Sequence, residues 1–224
     1  MDLPKVAMEF AVGLAGPIAV YGLDKLLNRG HAAQTERIRA FVDDLADRLK
    51  KVEAKCEPER FYESVVKSIR AMESGASKDK IGIFKLVLQG LYQGEIDDHH
   101  SRLFLSFTER LDVPHIHLLA VMRHEVPPVA ASEHGSAAFG YDFLLARTAR
   151  ILDSAEPESQ DICTLVLYEL SNSGLMHLRM SDDRRGRLMT TNAMDMLLRR
   201  QVYWLSPLGL KYAKYIERAN TKPV

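Results

Sequence analysis

The side chains best able to do chemistry in this chain are its histidines and the carboxylates beside them. Asp97-Asp98-His99-His100 is the densest such run. Joined by His117 it suggests a metal-dependent enzyme, because imidazole and carboxylate are ligands for zinc and related ions. Adjacent residues on a helix point about 100° apart, however, so at most two of these four side chains could share one ion without outside ligands. Asp98 as a helix N-cap, with solvated histidines in the first turn, explains the run without a metal. His115 and His117 stand two apart, on opposed faces of a helix, and would ligate together only from a strand. His124-Glu125 falls at a helix end, where the dipole favours an imidazolium. Nothing local gathers His100, His117 and His124. No serine-hydrolase elbow, Walker loop, dinucleotide fingerprint, zincin helix or paired-carboxylate motif occurs. The residues favour a protein that is not an enzyme and that holds no cofactor or metal. A His/Asp metal enzyme built on Asp98, His99, His100 and His117 is the catalytic alternative.

Arginine offers a second chemistry, contact with a polyanion. Arg179, Arg184, Arg185 and Arg187 fall close together in the last third of the chain. They read either as a solvated turn that aids solubility or as a contact for an acidic partner or a nucleic-acid backbone. No global field supports the second reading, since 30 Lys+Arg balance 30 Asp+Glu. Cys56 and Cys163 match no metal-ligand spacing and read as buried thiols of a reducing compartment, hence a cytoplasmic protein. The N-terminus lacks the basic region of a cleavable signal, with Asp2 and Glu9 where positive charge is expected.

These residues must be positioned by elements, and periodicity supplies them. Residues 10–23, FAVGLAGPIAVYGL, carry no charge. They fall short of the ~20 residues a membrane-spanning helix needs, and Pro17 interrupts a continuous helix. Phe10, Val12, Leu14, Ile18, Val20, Tyr21 and Leu23 therefore read as an apolar arm that meets a protein partner or a second copy. Membrane contact is the less favoured option, because no dense basic face accompanies the arm. From Ala32 to Lys55 the apolar residues recur at helical spacing, followed by helices from Pro58 to Gly75, Lys80 to Tyr92, Asp98 to Leu111, near Pro114 to Met122, and Ala137 to Leu152. The first two-thirds reads as all helix, with Phe139, Phe143, Leu144 and Ile151 facing inward in the last of these.

Pro157 then opens a helix carrying Ile162, Leu165, Val166, Glu169 and Leu170, and Gly174 ends it. The period switches to two in LMHLRM, with Met176, Leu178 and Met180 on one face, and Val202 and Trp204 answer from a returning strand. Ser206-Pro207 starts a closing helix, a hydroxyl cap followed by proline. The fold class predicted is mainly α: an apolar arm at 1–30, a helical body at 31–112, and a winged-helix-like domain at 113–224 with a two-stranded wing. A winged helix suggests a DNA-binding transcriptional regulator, but the charges oppose it. Ile151–Leu178 contains no Lys or Arg and five acids, Asp153, Glu156, Glu158, Asp161 and Glu169, whereas Arg179–Arg218 carries an excess of base. Phosphates would repel the helix that should enter the major groove.

Gly174-Leu175, Leu205-Ser206-Pro207-Leu208-Gly209 and the helix pair from Phe104 to Met122 make the chain resemble bacterial helical proteins of the abortive-infection, Abi-alpha-like type. Ser206 stands where Thr is more usual in that pattern. The resemblance implies a role in bacterial antiviral defence against phage, with no catalytic residues to carry over. The expectation is a cytoplasmic protein-interaction module acting through protein contacts and self-assembly, with nucleic acid reachable only through the arginine-bearing wing.

Overall fold

The structure, a computed structural model, describes residues 32–50, 52–124, 138–152, 158–180 and 201–220. The chain is mainly helical, with a small antiparallel sheet, and divides into two compact units. One comprises Met1–Leu111 with Arg218–Val224, the other Asp112–Glu217. The arm residues Phe10, Val12, Leu14, Ile18, Val20, Tyr21 and Leu23 lie outside the described residues.

The first unit is built on α1 (Ala32–Leu49), α2 (Pro58–Glu73), α3 (Lys78–Tyr92) and α4 (Asp98–Arg110). The spacing of Ile38, Phe41, Val42, Leu45 and Leu49 places all of them inside. The predicted helix to Lys55 instead stops at Leu49; the amide of Lys55 is committed to the Tyr92 carbonyl at 2.8 Å. Pro58 occupies the first turn of α2, where the missing amide costs nothing. Gly75 and Gly94 follow α2 and α3 with φ of 97° and 70°, the left-handed conformation that lets glycine end a helix. Ser77 caps α3 by accepting from the Lys80 amide at 3.3 Å. Phe61, Ile69, Phe84, Leu88 and Phe104 are fully enclosed. Lys85 crosses from α3 to Asp44 of α1 at 2.6 Å.

The second unit runs α5 (Val113–His124), β1 (Phe139–Gly140), α6 (Tyr141–Leu152), α7 (Glu158–Asn172), β2 (Met176–Met180), β3 (Gln201–Leu205) and most of α8 (Pro207–Asn220). The sheet order is β1-β3-β2, antiparallel throughout. The expectation of one helix from Ala137 is corrected here. Phe139 and Gly140 pair with Tyr203 and Val202, so Phe139 is buried from a strand and the helix starts at Tyr141. The hairpin expected around Met176–Met180 and Val202–Trp204 forms, with Met176 opposite Leu205 and Leu178 opposite Tyr203.

The turn of α7 about its axis is set by burial. Of the residues the sequence placed on this helix, Val166 and Leu170 are enclosed, together with Cys163 and Leu167, whereas Leu165 and Glu169 are exposed. The enclosed set is contiguous at three- and four-residue spacing, which turns Leu165 and Glu169 outward.

Candidate functional site

The Asp97–His100 run is committed to building α4. Asp97, not Asp98, is the cap: it accepts from the His100 amide at 2.9 Å, and its other oxygen lies 2.6 Å from His100 Nδ1. Those bonds hold the Asp97 carboxyl below its ordinary value. Asp98 pairs with Arg102 one turn on and with Arg60 of α2 at 3.7 Å. His99 packs edge-on to His100 and His100 to Phe104. His124, at the end of α5, faces Glu217 at 3.7 Å, and Arg123 holds the same carboxylate at 2.6 Å. Among the described residues no three His, Cys, Asp or Glu side chains gather in a way that could hold a metal ion. Arg179 lies in β2 opposite Val202; Arg184, Arg185 and Arg187 lie outside the described residues.

The side chains that stand out are on α7. Among the described residues, the large hydrophobics left exposed are Leu165 at 55%, Tyr168 at 65% and Leu178 at 45%. All three fall on α7 or on the strand that follows it. Asp161, Leu165, Tyr168 and Asn172 are exposed at spacings of four, three and four, which places them in one stripe along the helix. Glu169 borders the stripe, and its carboxylate lies 2.7 Å from Nε2 of buried His115 on α5. The other His115 nitrogen, Nδ1, accepts from the Asp112 amide at 3.3 Å. Tyr168 was not singled out by periodicity, because α7 carries apolar residues on two faces. The visible sign was Leu165 and Tyr168 spaced three apart outside the enclosed set.

The Gly174-Leu175 and Leu205–Gly209 motifs meet in a single clasp. The Ser206 amide donates to the Leu175 carbonyl at 3.0 Å. Its hydroxyl donates to the Gly174 carbonyl at 2.6 Å and accepts from the Gly209 amide at 2.9 Å, capping α8. Gly174 has φ of 74°, a backbone that glycine adopts at no steric cost. Gly209 is needed for a different reason: a Cβ there would stand 1.9 Å from the Leu175 carbonyl oxygen. These residues fix where α7 ends and α8 begins.

Tyr141 Oη lies 2.9 Å from Thr164 Oγ1. Burial pushes the Cys163 thiol up to about 11, partly opposed by a hydrogen bond with Thr148. Burial also raises Tyr203, with the neighbouring Cys163 and Tyr141 adding to it. Burial raises the half-buried Cys56 thiol as well. The unfolded Cys163 thiol ionises near its ordinary 9.0 while the folded one keeps its proton to about 11. The unfolded state therefore binds fewer protons in that window, and stability falls as pH rises through it. In a thiol-reagent titration at neutral pH, Cys56 is expected to react in the native protein and Cys163 only after unfolding.

No family model, curated protein or solved structure matches the chain. The likeness to abortive-infection proteins therefore rests on the sequence motifs alone. Among the described residues, no helix is long and apolar enough to cross a membrane.

Proposed function

We propose that residues 113–217 form a winged helix that binds protein rather than DNA, in a chain that is not an enzyme. The order α5-β1-α6-α7-β2-β3-α8, with β1 edging the hairpin, supports the winged-helix reading. In a DNA-reading member the helix before the hairpin enters the major groove, and Arg, Lys, Asn or Gln reach the base edges. The observation that carries the proposal is the outward stripe of that helix: Asp161, Leu165, Tyr168 and Asn172, bordered by Glu169. Two carboxylates there repel phosphate, and lysine or arginine neutralisation, the main source of non-specific affinity, is missing from Ile151 to Leu178. An exposed leucine–tyrosine pair is the kind of anchor that protein interfaces use, tyrosine above all. The motif resemblance points to bacterial anti-phage defence as the setting.

The test is binding of the purified full chain to a library of random duplexes at about 50 mM salt, where electrostatic attraction is least screened. No sequence should be enriched. Any weak retardation should vanish by roughly 200 mM salt and depend on Arg179, Arg184, Arg185 and Arg187, leaving Leu165→Ala and Tyr168→Ala without effect. Enrichment of one duplex sequence whose binding is lost on Tyr168→Ala would sink the proposal.

A further inference from the structure

We propose that the α7 stripe takes a second copy of this chain, seated on the exposed basic face of α8. The inference rests on reading α7 as a protein-docking face and names the occupant of that face. On α8 the chain buries Tyr212, Ala213, Tyr215 and Ile216 and leaves Lys211 and Lys214 exposed. Three apart on a helix, the two lysines share one face, just as Leu165 and Tyr168 do on α7.

The two faces complement each other in both charge and surface. Lysine has a four-carbon stem that can lie over Leu165 while its ammonium reaches Asp161 or Glu169. An ammonium is also attracted to the face of an aromatic ring such as that of Tyr168. A contact of α7 with α7 would instead oppose acid to acid, which costs free energy at an interface. The chain as a whole has a formal net charge of +0, and a protein without net charge has no long-range repulsion to keep its copies apart. Both faces lie on Asp112–Glu217, and the proposal takes them as paired about a twofold axis, α7 of each copy meeting α8 of the other. One helix-on-helix contact buries little surface; the axis makes two of them.

The experiment is light scattering on the full chain at tens of micromolar, at about 50 and 500 mM salt, with three variants. These are Tyr168→Asp, the pair Lys211→Glu and Lys214→Glu, and that pair combined with Asp161→Lys. All four positions are exposed, so each variant should melt with the wild type. The wild type is expected as a dimer at low salt that dissociates at high salt. The α7 and α8 variants should each weaken it about tenfold or more, and the charge-swapped combination should recover part of the loss. A wild type that is monomeric at both salts overturns the proposal. So does a dimer that neither the α7 nor the α8 variant weakens, as association through residues 10–23 would give. A monomer that also fails to select a duplex through Tyr168 removes only the second copy as occupant. Duplex selection through Tyr168 removes the docking reading itself.

Discussion

Gly209→Ala is expected to destabilise the hairpin-bearing unit by about 3 kcal/mol or more, or to prevent it from folding. The added Cβ would stand 1.9 Å from the Leu175 carbonyl oxygen and 2.9 Å from its carbonyl carbon. Both are backbone atoms, so no rotamer change relieves the clash. Relief requires α8 to move away from Leu175, which stretches the bonds from Ser206 to Leu175 and Gly174. Alanine otherwise favours a helix interior over glycine by about 1 kcal/mol. The close approach therefore has to outweigh a propensity gain, and the sign of the result is informative. Thermal melting followed by circular dichroism would read a fall of about 10–20 °C for a domain of this size. Two neighbours calibrate the measurement. Ser206→Ala removes the cap and should cost about 1–2 kcal/mol, whereas Ser206→Thr keeps the hydroxyl and should cost little. A Gly209→Ala melt matching the wild type would mean that α8 does not start against Leu175.

In the first unit the largest effect is expected from Phe61→Ala. Phe61 is fully enclosed in α2 and meets the Tyr92 ring of α3 edge-on, with centroids 5.1 Å apart. Truncation removes the transfer free energy of the ring, leaves a cavity between the two helices, and discards the edge-to-face contact. Together these amount to about 3–5 kcal/mol. Tyr92 also supplies the carbonyl that holds the Lys55 amide, so the cavity lies next to the link between α1 and α2. Urea unfolding should show a lower midpoint with an unchanged slope. A drop in slope would instead indicate that the native unit had loosened.

Helix positions in this chain were legible because each is written several times over. In α1 five apolar residues repeat at helical spacing, and in α2 and α8 a proline sits in the first turn. The hairpin was legible because Gly174 and Ser206-Pro207 bracket a change of period. The elements that escaped carry too little redundancy. β1 is two residues long, and alternation over two residues cannot be told from a helix start. Its pairing is set by β3, more than sixty residues away in sequence. Asp97 and Asp98 are chemically equal as caps, and only the backbone decides which lies one residue outside the helix.

The α7 face was the larger loss. Its aliphatic and aromatic residues occupy positions on both sides, so either stripe could have been the buried one. Burial of Cys163 and Leu167 settles the choice, and with leucines on both sides, Leu165 and Leu167, residue type alone does not tell them apart. The charge pattern is a property of the sequence, an acidic stretch ending at Leu178 and a basic one beyond it, and among the described residues Asp161 and Glu169 are exposed on α7 and Lys211 and Lys214 on α8. What the structure adds is the leucine and tyrosine between the acids. On the proposed reading they turn a surface that repels phosphate into one that holds a protein.

The decisive measurement places a photo-reactive benzoylphenylalanine at position 168 of the full chain and irradiates it with excess duplex DNA present. The adduct should have twice the mass of the chain and map to the α8 segment holding Lys211 and Lys214. An adduct that carries the duplex instead would contradict the reading of α7 as a protein-docking face.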